Sequence, residues 1–141
     1  MITISLYYRP MNNEYYMQTS NTNIPVRWMA IESLYNRKYS TYSDVWSFGV
    51  VLWEMFSFGK TPYLEGCEEF FIGERNKHDQ LISDLQTWTK RLDNNARFPK
   101  PENCPDTLYS VMLECWEHEP NNRPNFTELK PLLKNVEMEV T

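Results

Sequence analysis

Residues Ser40–Pro62 read STYSDVWSFGVVLWEMFSFGKTP, and they predict one helix that is apolar on nearly every side. Val45, Trp46, Phe48, Val50, Val51, Leu52, Trp53, Met55 and Phe56 leave no polar stripe, which puts the helix in the middle of a core. Thr41 with Asp44 three residues on predicts a capping-box start, the carboxylate lying near the positive end of the helix dipole. Gly59 is placed to supply a left-handed stop, and Pro62 forbids resumption. Gly49 in the interior costs about 1 kcal/mol relative to Ala, so a neighbour packed close against its backbone is expected. A membrane span needs about 20 apolar residues. This run is shorter and carries Asp44 and Glu54.

The remaining totals narrow the function. A length of 141 residues makes one domain or a piece of one, and 41% hydrophobic residues with five tryptophans suffice for a core. A net charge of −5 speaks against a nucleic-acid surface, so no nucleic-acid partner is expected. Cys67, Cys104 and Cys115 are spaced neither as a disulfide framework nor as a Cys-x-x-Cys zinc site, and reduced, intracellular residence is expected. Met1–Leu6 lacks a signal-peptide pattern, and no transmembrane segment is expected in this chain. Gly49, Gly59, Gly66 and Gly73 are too scattered to build a phosphate-cradling loop.

Upstream of the central helix, Met1–Asn23 is polar, rich in Tyr and Asn, and aperiodic, the pattern of a long loop. Its tyrosines, Tyr7, Tyr8, Tyr15 and Tyr16, either cover apolar surface or carry a function. Ile24–Leu34 (IPVRWMAIESL) is a compact apolar segment anchored by Trp28 and Met29, with a short helix over Ala30–Tyr35. Glu32 stands among Met29, Ile31 and Leu34. It is either a surface acid on that helix or a buried carboxylate in need of an arginine.

Downstream, Glu68–Ile72 and Leu81–Leu92 carry helical spacing, with Asn94 or Asn95 as a left-handed stop. Phe98–Pro101 is extended, because residues before proline avoid the helical region. A helix from about Asp106 puts Leu108, Val111, Met112, Cys115 and Trp116 on one face, with Cys115 as core rather than nucleophile. The last helix, Asn125–Met138, follows the turn Asn121–Pro124 and buries Phe126, Leu129, Leu132, Leu133 and Val136. It carries Pro131, which costs little if the helix effectively starts at Thr127 and otherwise favours a kink. His78 and His118, without partners at metal spacing, are read as solvated, and no metal site is expected.

PVRWMAIESL followed by SDVWSFGVVLWEMFSFGKTPY resembles the C-terminal lobe of a protein-tyrosine kinase, and CWEHEPNNRPNFTEL resembles the end of that lobe. The resemblance implies a mainly α fold, the helical C-lobe of the protein-kinase fold with the N-lobe absent. It divides the chain into an activation-loop segment (1–23), C-lobe helices (24–138) and a tail (139–141). The motifs look most like receptor kinases of the platelet-derived and vascular endothelial growth factor group. On this resemblance Tyr16 and its neighbour Tyr15 would be phosphorylated, and Pro25, Val26, Arg27 and Trp28 would form the platform for a substrate tyrosine. Glu32 would pair with Arg123, while Asp44, Trp46 and Gly49 match the signature of the family's buried helix.

Departures bear on function. The family's Ala-Pro-Glu is Ala30-Ile31-Glu32 here, and residues 72–89 are extra, hydrophilic residues relative to the family, either a surface insertion or a mistranslated intron. The chain shows no Gly-rich loop, ATP-anchoring lysine strand, His-Arg-Asp loop or Asp-Phe-Gly motif. The catalytic base and metal ligands would then lie before Met1. ATP and magnesium would bind the full-length parent, and no residue of this chain is assigned as catalytic or cofactor-binding. The expected parent transfers the ATP γ-phosphate to protein tyrosines and self-associates for trans-phosphorylation at the cytoplasmic side of the plasma membrane. The alternative is a non-catalytic or dominant-negative module that binds kinases or substrates. A lobe lacking its preceding helices is also expected to expose the surroundings of Asp44 and Trp46 and to fold marginally.

Overall fold

The computed structural model describes residues 25–71 and 78–140. They form five α-helices: α1 (Ile31–Asn36), α2 (Thr41–Phe56), α3 (His78–Asp93), α4 (Asp106–Cys115) and α5 (Phe126–Val140). Short 3₁₀ turns over Val26–Trp28 and Pro120–Asn122 precede α1 and α5, and no strand occurs among the described residues. The expected mainly helical architecture is the observed one.

The central helix is α2, with Val45, Trp46 and Val50 fully buried. It packs most extensively on α4, and Gly49 makes that approach possible. A Cβ built on Gly49 would lie 2.7 Å from both the Cys115 Cβ and the Trp116 Nε1, closer than a real Cβ sits. Around this contact Phe98 gathers the aromatic core, with ring centroids 6.0 Å from Trp53, 5.9 Å from Trp88 and 5.2 Å from Trp116. Leu108, Val111, Met112, Cys115 and Trp116 are all buried, as the helical spacing predicts.

The helix ends differ in detail from expectation. Ser40, not Thr41, caps α2: its hydroxyl accepts from Tyr42 and Ser43 N–H, and the Ser43 hydroxyl accepts from the Ser40 N–H at 2.7 Å. The box therefore uses two serines, and Asp44 adds its charge to the first turn without being the capping partner. At the other end Phe58 takes the left-handed position at φ 59°, followed by Gly59 at φ 83°. The Phe58 N–H reaches Met55 C=O and the Gly59 N–H reaches Glu54 C=O, the hydrogen-bond pattern of a Schellman stop. Phe58 is 83% and Met55 62% exposed, so α2 is not apolar-and-buried on all sides at its C-terminal end.

The stretch before α3 corrects one further expectation. Residues from Glu68 to Phe71 form turns instead of a helix, their carbonyls being taken by a side chain described below. Residues 78–89 are part of one continuous helix that ends at Asp93, and they bring Trp88, Asp84 and Thr89 into the interior. Asp79, Gln80, Ile82, Ser83, Gln86 and Thr87 of the same run stay exposed, and residues 72–77 lie outside the described residues. Asn95, at φ 72°, is the left-handed stop.

α5 opens with a box of its own: Asn125 Oδ1 accepts from the Glu128 N–H at 2.8 Å, and Glu128 Oε1 accepts from the Asn125 N–H at 2.9 Å. The helix continues through Pro131 to Val140. Leu129 and Val136 are buried, whereas Phe126 is 41% exposed and meets Phe48 edge-on at 5.9 Å. Asp44 and Trp46 are buried, at 3% and 0% exposure.

Candidate functional site

The turn that carries the expected substrate platform is built by Pro25. With φ held near −80° and ψ at 64°, Pro25 feeds a 3₁₀ turn in which the Trp28 N–H bonds Pro25 C=O at 3.1 Å and the Met29 N–H bonds Val26 C=O at 3.0 Å. Val26 and Met29 point into the core, while Pro25 and Trp28 stay half-buried. α2 lies beneath. The Ser47 hydroxyl donates to Trp28 C=O at 2.7 Å, and the Trp28 indole N–H donates to Glu54 Oε1 at 2.9 Å.

Arg27 turns inward. It is 8% exposed, and its guanidinium donates to Pro62 C=O, to Glu68 C=O at 3.2 Å and to Phe70 C=O at 2.6 Å. The same group lies 5.3 Å from the Trp88 ring and 5.6 Å from the Phe71 ring, a cation–π arrangement suited to its planar charge. Burial pulls its pKa below the ordinary arginine value, an effect partly offset by Cys67. Of the four residues expected to form the platform, Val26 and Arg27 are buried, and Pro25 and Trp28 are partly exposed.

Glu32 and Arg123 come together from opposite ends of the fold. Arg123 Nη1 and Nη2 reach Glu32 Oε2 and Oε1 at 2.7 and 2.8 Å, a bidentate pair. Arg123 also donates to the carbonyls of Glu117 (2.8 Å), Tyr42 (3.0 Å) and His118 (3.4 Å), so every guanidinium nitrogen has an acceptor. The sequence leaves Glu32 open between surface acid and buried partner; its side chain is 13% exposed, that of Arg123 fully buried. The pair rests on Trp46, whose ring lies 5.0 Å from the Arg123 guanidinium carbon.

Arg97 is a member of this cluster that sequence reasoning missed. Its guanidinium sits 5.1 Å from the same Trp46 ring and donates to the carbonyls of Trp116 (2.9 Å), Leu92 (2.8 Å) and Ala96 (2.7 Å). Burial, then the neighbouring Arg123 charge, lowers its pKa. The available signal was its place in the extended Ala96–Lys100 stretch, where a basic side chain beside a Phe-Pro pair can reach helix-end carbonyls.

Asp44 and Gly49 are buried on α2. Tyr15 and Tyr16 lie outside the described residues, as does the His78 side chain. His118 is exposed, as the solvated reading expects, and its Nε2 meets Asp93 Oδ1 at 2.7 Å, tying the end of α3 to the turn after α4. All three cysteines are free and buried. Burial, and to a lesser degree Glu114, pushes the Cys115 thiol up to about 12, which removes it as a nucleophile at neutral pH.

Among the described residues no three His, Cys, Asp or Glu side chains converge as a metal site. No helix among them is long and apolar enough to cross a membrane. The site they build offers position and shape: a proline–tryptophan turn, held by a helix below and locked to the rest of the lobe by a buried ion pair.

Comparison with known proteins agrees with this geometry. A family model described as protein tyrosine and serine/threonine kinase matches residues 4–133. Over 125 residues the chain is 42% identical to the tyrosine-protein kinase transforming protein RYK of avian retrovirus RPL30, a match that takes in 89% of this chain and 24% of that protein. The chain thus spans about a quarter of the length of the curated relative it matches. With the family model covering nearly all of its length and the described residues folding as the helical C-lobe, this chain belongs to the protein tyrosine and serine/threonine kinase family.

Proposed function

We propose that the chain is the C-terminal part of a receptor protein-tyrosine kinase whose full-length form transfers the ATP γ-phosphate to protein tyrosines. The observation that carries this reading is the Pro25–Trp28 turn, seated on Ser47 and Glu54 of α2 and followed directly by the Glu32–Arg123 clamp. Phosphoryl transfer asks a protein chiefly for positioning, and a rigid turn with a partly exposed proline and tryptophan supplies it for an aromatic acceptor. The relative's description as a tyrosine-protein kinase supports the tyrosine class. The motifs around Trp28 and Ser57–Tyr63 support the platelet-derived and vascular endothelial growth factor receptor group.

In this reading residues 1–23 are the activation-loop segment, 24–138 the C-lobe and 139–141 a tail. Tyr16 is the regulatory phosphorylation site and Tyr15 its neighbour, because a phosphate adds nearly two negative charges that arginines can pair with. ATP and magnesium bind the full-length parent. The parent's partners are protein tyrosine substrates and a second copy of itself, at the cytoplasmic side of the plasma membrane.

The test is a transcript that extends upstream of Met1, expressed in full and assayed with ATP, magnesium and a tyrosine-containing peptide. Phosphotyrosine on the peptide and on Tyr16, read by mass spectrometry, supports the proposal. A full-length product that binds tyrosine peptides without phosphorylating them would make the chain part of a non-catalytic binding module instead.

A further inference from the structure

Five tryptophans stand in this chain: Trp53 is buried with its indole N–H donating to Pro99 C=O, and the other four fall into two groups. Trp46, Trp88 and Trp116 are sealed in the core at 0–1% exposure, and their indole N–H groups have no hydrogen-bond partner among the described residues. Packing holds those rings, helped at Trp46 and Trp88 by arginine guanidinium groups over the ring, and no hydrogen bond does. Trp28 is only half-buried, so packing holds it less completely, and its indole N–H is bonded to a carboxylate oxygen of Glu54 at 2.9 Å. Ser47, seven residues before Glu54 and therefore on the same face of α2, holds the Trp28 carbonyl at 2.7 Å. The Trp28 N–H in turn holds Pro25 C=O at 3.1 Å. One helix face thus fixes the backbone and the ring of Trp28, and through Trp28 it fixes Pro25.

We infer that Glu54, acting with Ser47, is a positioning residue that sets the orientation of the Trp28 ring and so the affinity of the platform for its tyrosine substrate. The inference rests on the kinase reading above. Glu54 touches neither substrate nor nucleotide in this role. It accepts one hydrogen bond, and a half-exposed indole that loses its acceptor is free to turn about its side-chain torsions. A charge-assisted bond of this kind is stronger than a neutral one, and its loss is felt where the ring must present one face.

The experiment uses Glu54→Ala and Glu54→Gln. In the 141-residue chain, deuterium exchange at the Trp28 indole N–H accelerates in Glu54→Ala and stays near the unmodified rate in Glu54→Gln, which keeps an acceptor oxygen at the same reach. In the full-length kinase, Glu54→Ala raises the peptide KM about fivefold to tenfold. The KM for ATP does not move, and Glu54→Gln brings the peptide KM most of the way back. A merely structural role would lower kcat through loss of active enzyme and leave the peptide KM alone. Unchanged indole exchange, or an unchanged peptide KM in Glu54→Ala, overturns the inference while the kinase reading stands. If the unmodified full-length protein phosphorylates no tyrosine peptide, the kinase reading fails and the inference falls with it.

Discussion

Arg123 closes on Glu32 across 91 residues of sequence, its two terminal guanidinium nitrogens each on one carboxylate oxygen at 2.7 and 2.8 Å. Removing the arginine strands a carboxylate in a nearly dry site and leaves the carbonyls of Glu117, Tyr42 and His118 without their donor. Arg123→Ala should therefore lower the unfolding free energy by roughly 3–5 kcal/mol. Arg123→Lys should recover only part of that, since a point charge cannot fork. Urea unfolding followed by tryptophan fluorescence measures both; a midpoint shift within error for Arg123→Ala would show that the clamp contributes nothing.

Gly49→Ala sets two effects against each other. Helix propensity favours alanine by about 1 kcal/mol. Against it stand the Cys115 Cβ and the Trp116 ring, each 2.7 Å from the new methyl carbon, and neither is the free end of a flexible chain. Overpacking wins, and the variant should lose about 1–3 kcal/mol in the same assay. A variant more stable than the parent would mean that α4 can retreat from α2 at little cost.

Trp88 tests whether residues 78–93 belong to the core. Its ring lies 5.3 Å from Phe71 and 5.9 Å from Phe98, fully buried. Trp88→Ala should cost about 3–5 kcal/mol, whereas Gln86→Ala, exposed on the same helix, should stay within about 0.5 kcal/mol. Two silent substitutions would return this stretch to the status of a surface excursion.

The Cys115 thiol gives a pH signature. Its pKa is raised by burial to about 12 in the fold, above the ordinary thiol value it regains on unfolding. The folded state keeps a proton that the unfolded state gives up, so stability is fully present below the unfolded thiol pKa and falls as pH rises toward about 12. Unfolding midpoints should decline between pH 9 and 11 in this chain and decline less in Cys115→Ala. Alkylation at pH 7.5 should label Cys67, Cys104 and Cys115 only after urea is added, because burial raises all three thiols.

Much of this was legible in the residues. Unbroken apolarity placed α2 at the centre, Gly49 announced a close neighbour, and the kinase resemblance supplied Arg123 for Glu32, which the residues alone left open. The failures share a physical origin. Ser40 and Thr41 are both competent caps, and only the backbone shows that Ser43 completes the box. α3 looks hydrophilic because it buries a narrow strip, two of whose members, Asp84 and Thr89, are polar and internally bonded. Arg27 was placed in the platform by resemblance alone, and the three carbonyls and two rings that make its burial tolerable lie far away in sequence. Such long-range acceptors leave no mark on local periodicity.

That grip on the stretch from Pro62 to Phe70 has an evolutionary corollary. Arg27 holds it by backbone oxygens, which every amino acid carries, and Arg91 adds the Glu65 carbonyl in the same manner. Its path is insulated from most of its own side chains, so Glu65, Glu68 and Glu69 can drift without rerouting the chain. The constraint has been exported to two arginines elsewhere, and inherited variation in this lobe should respect them first.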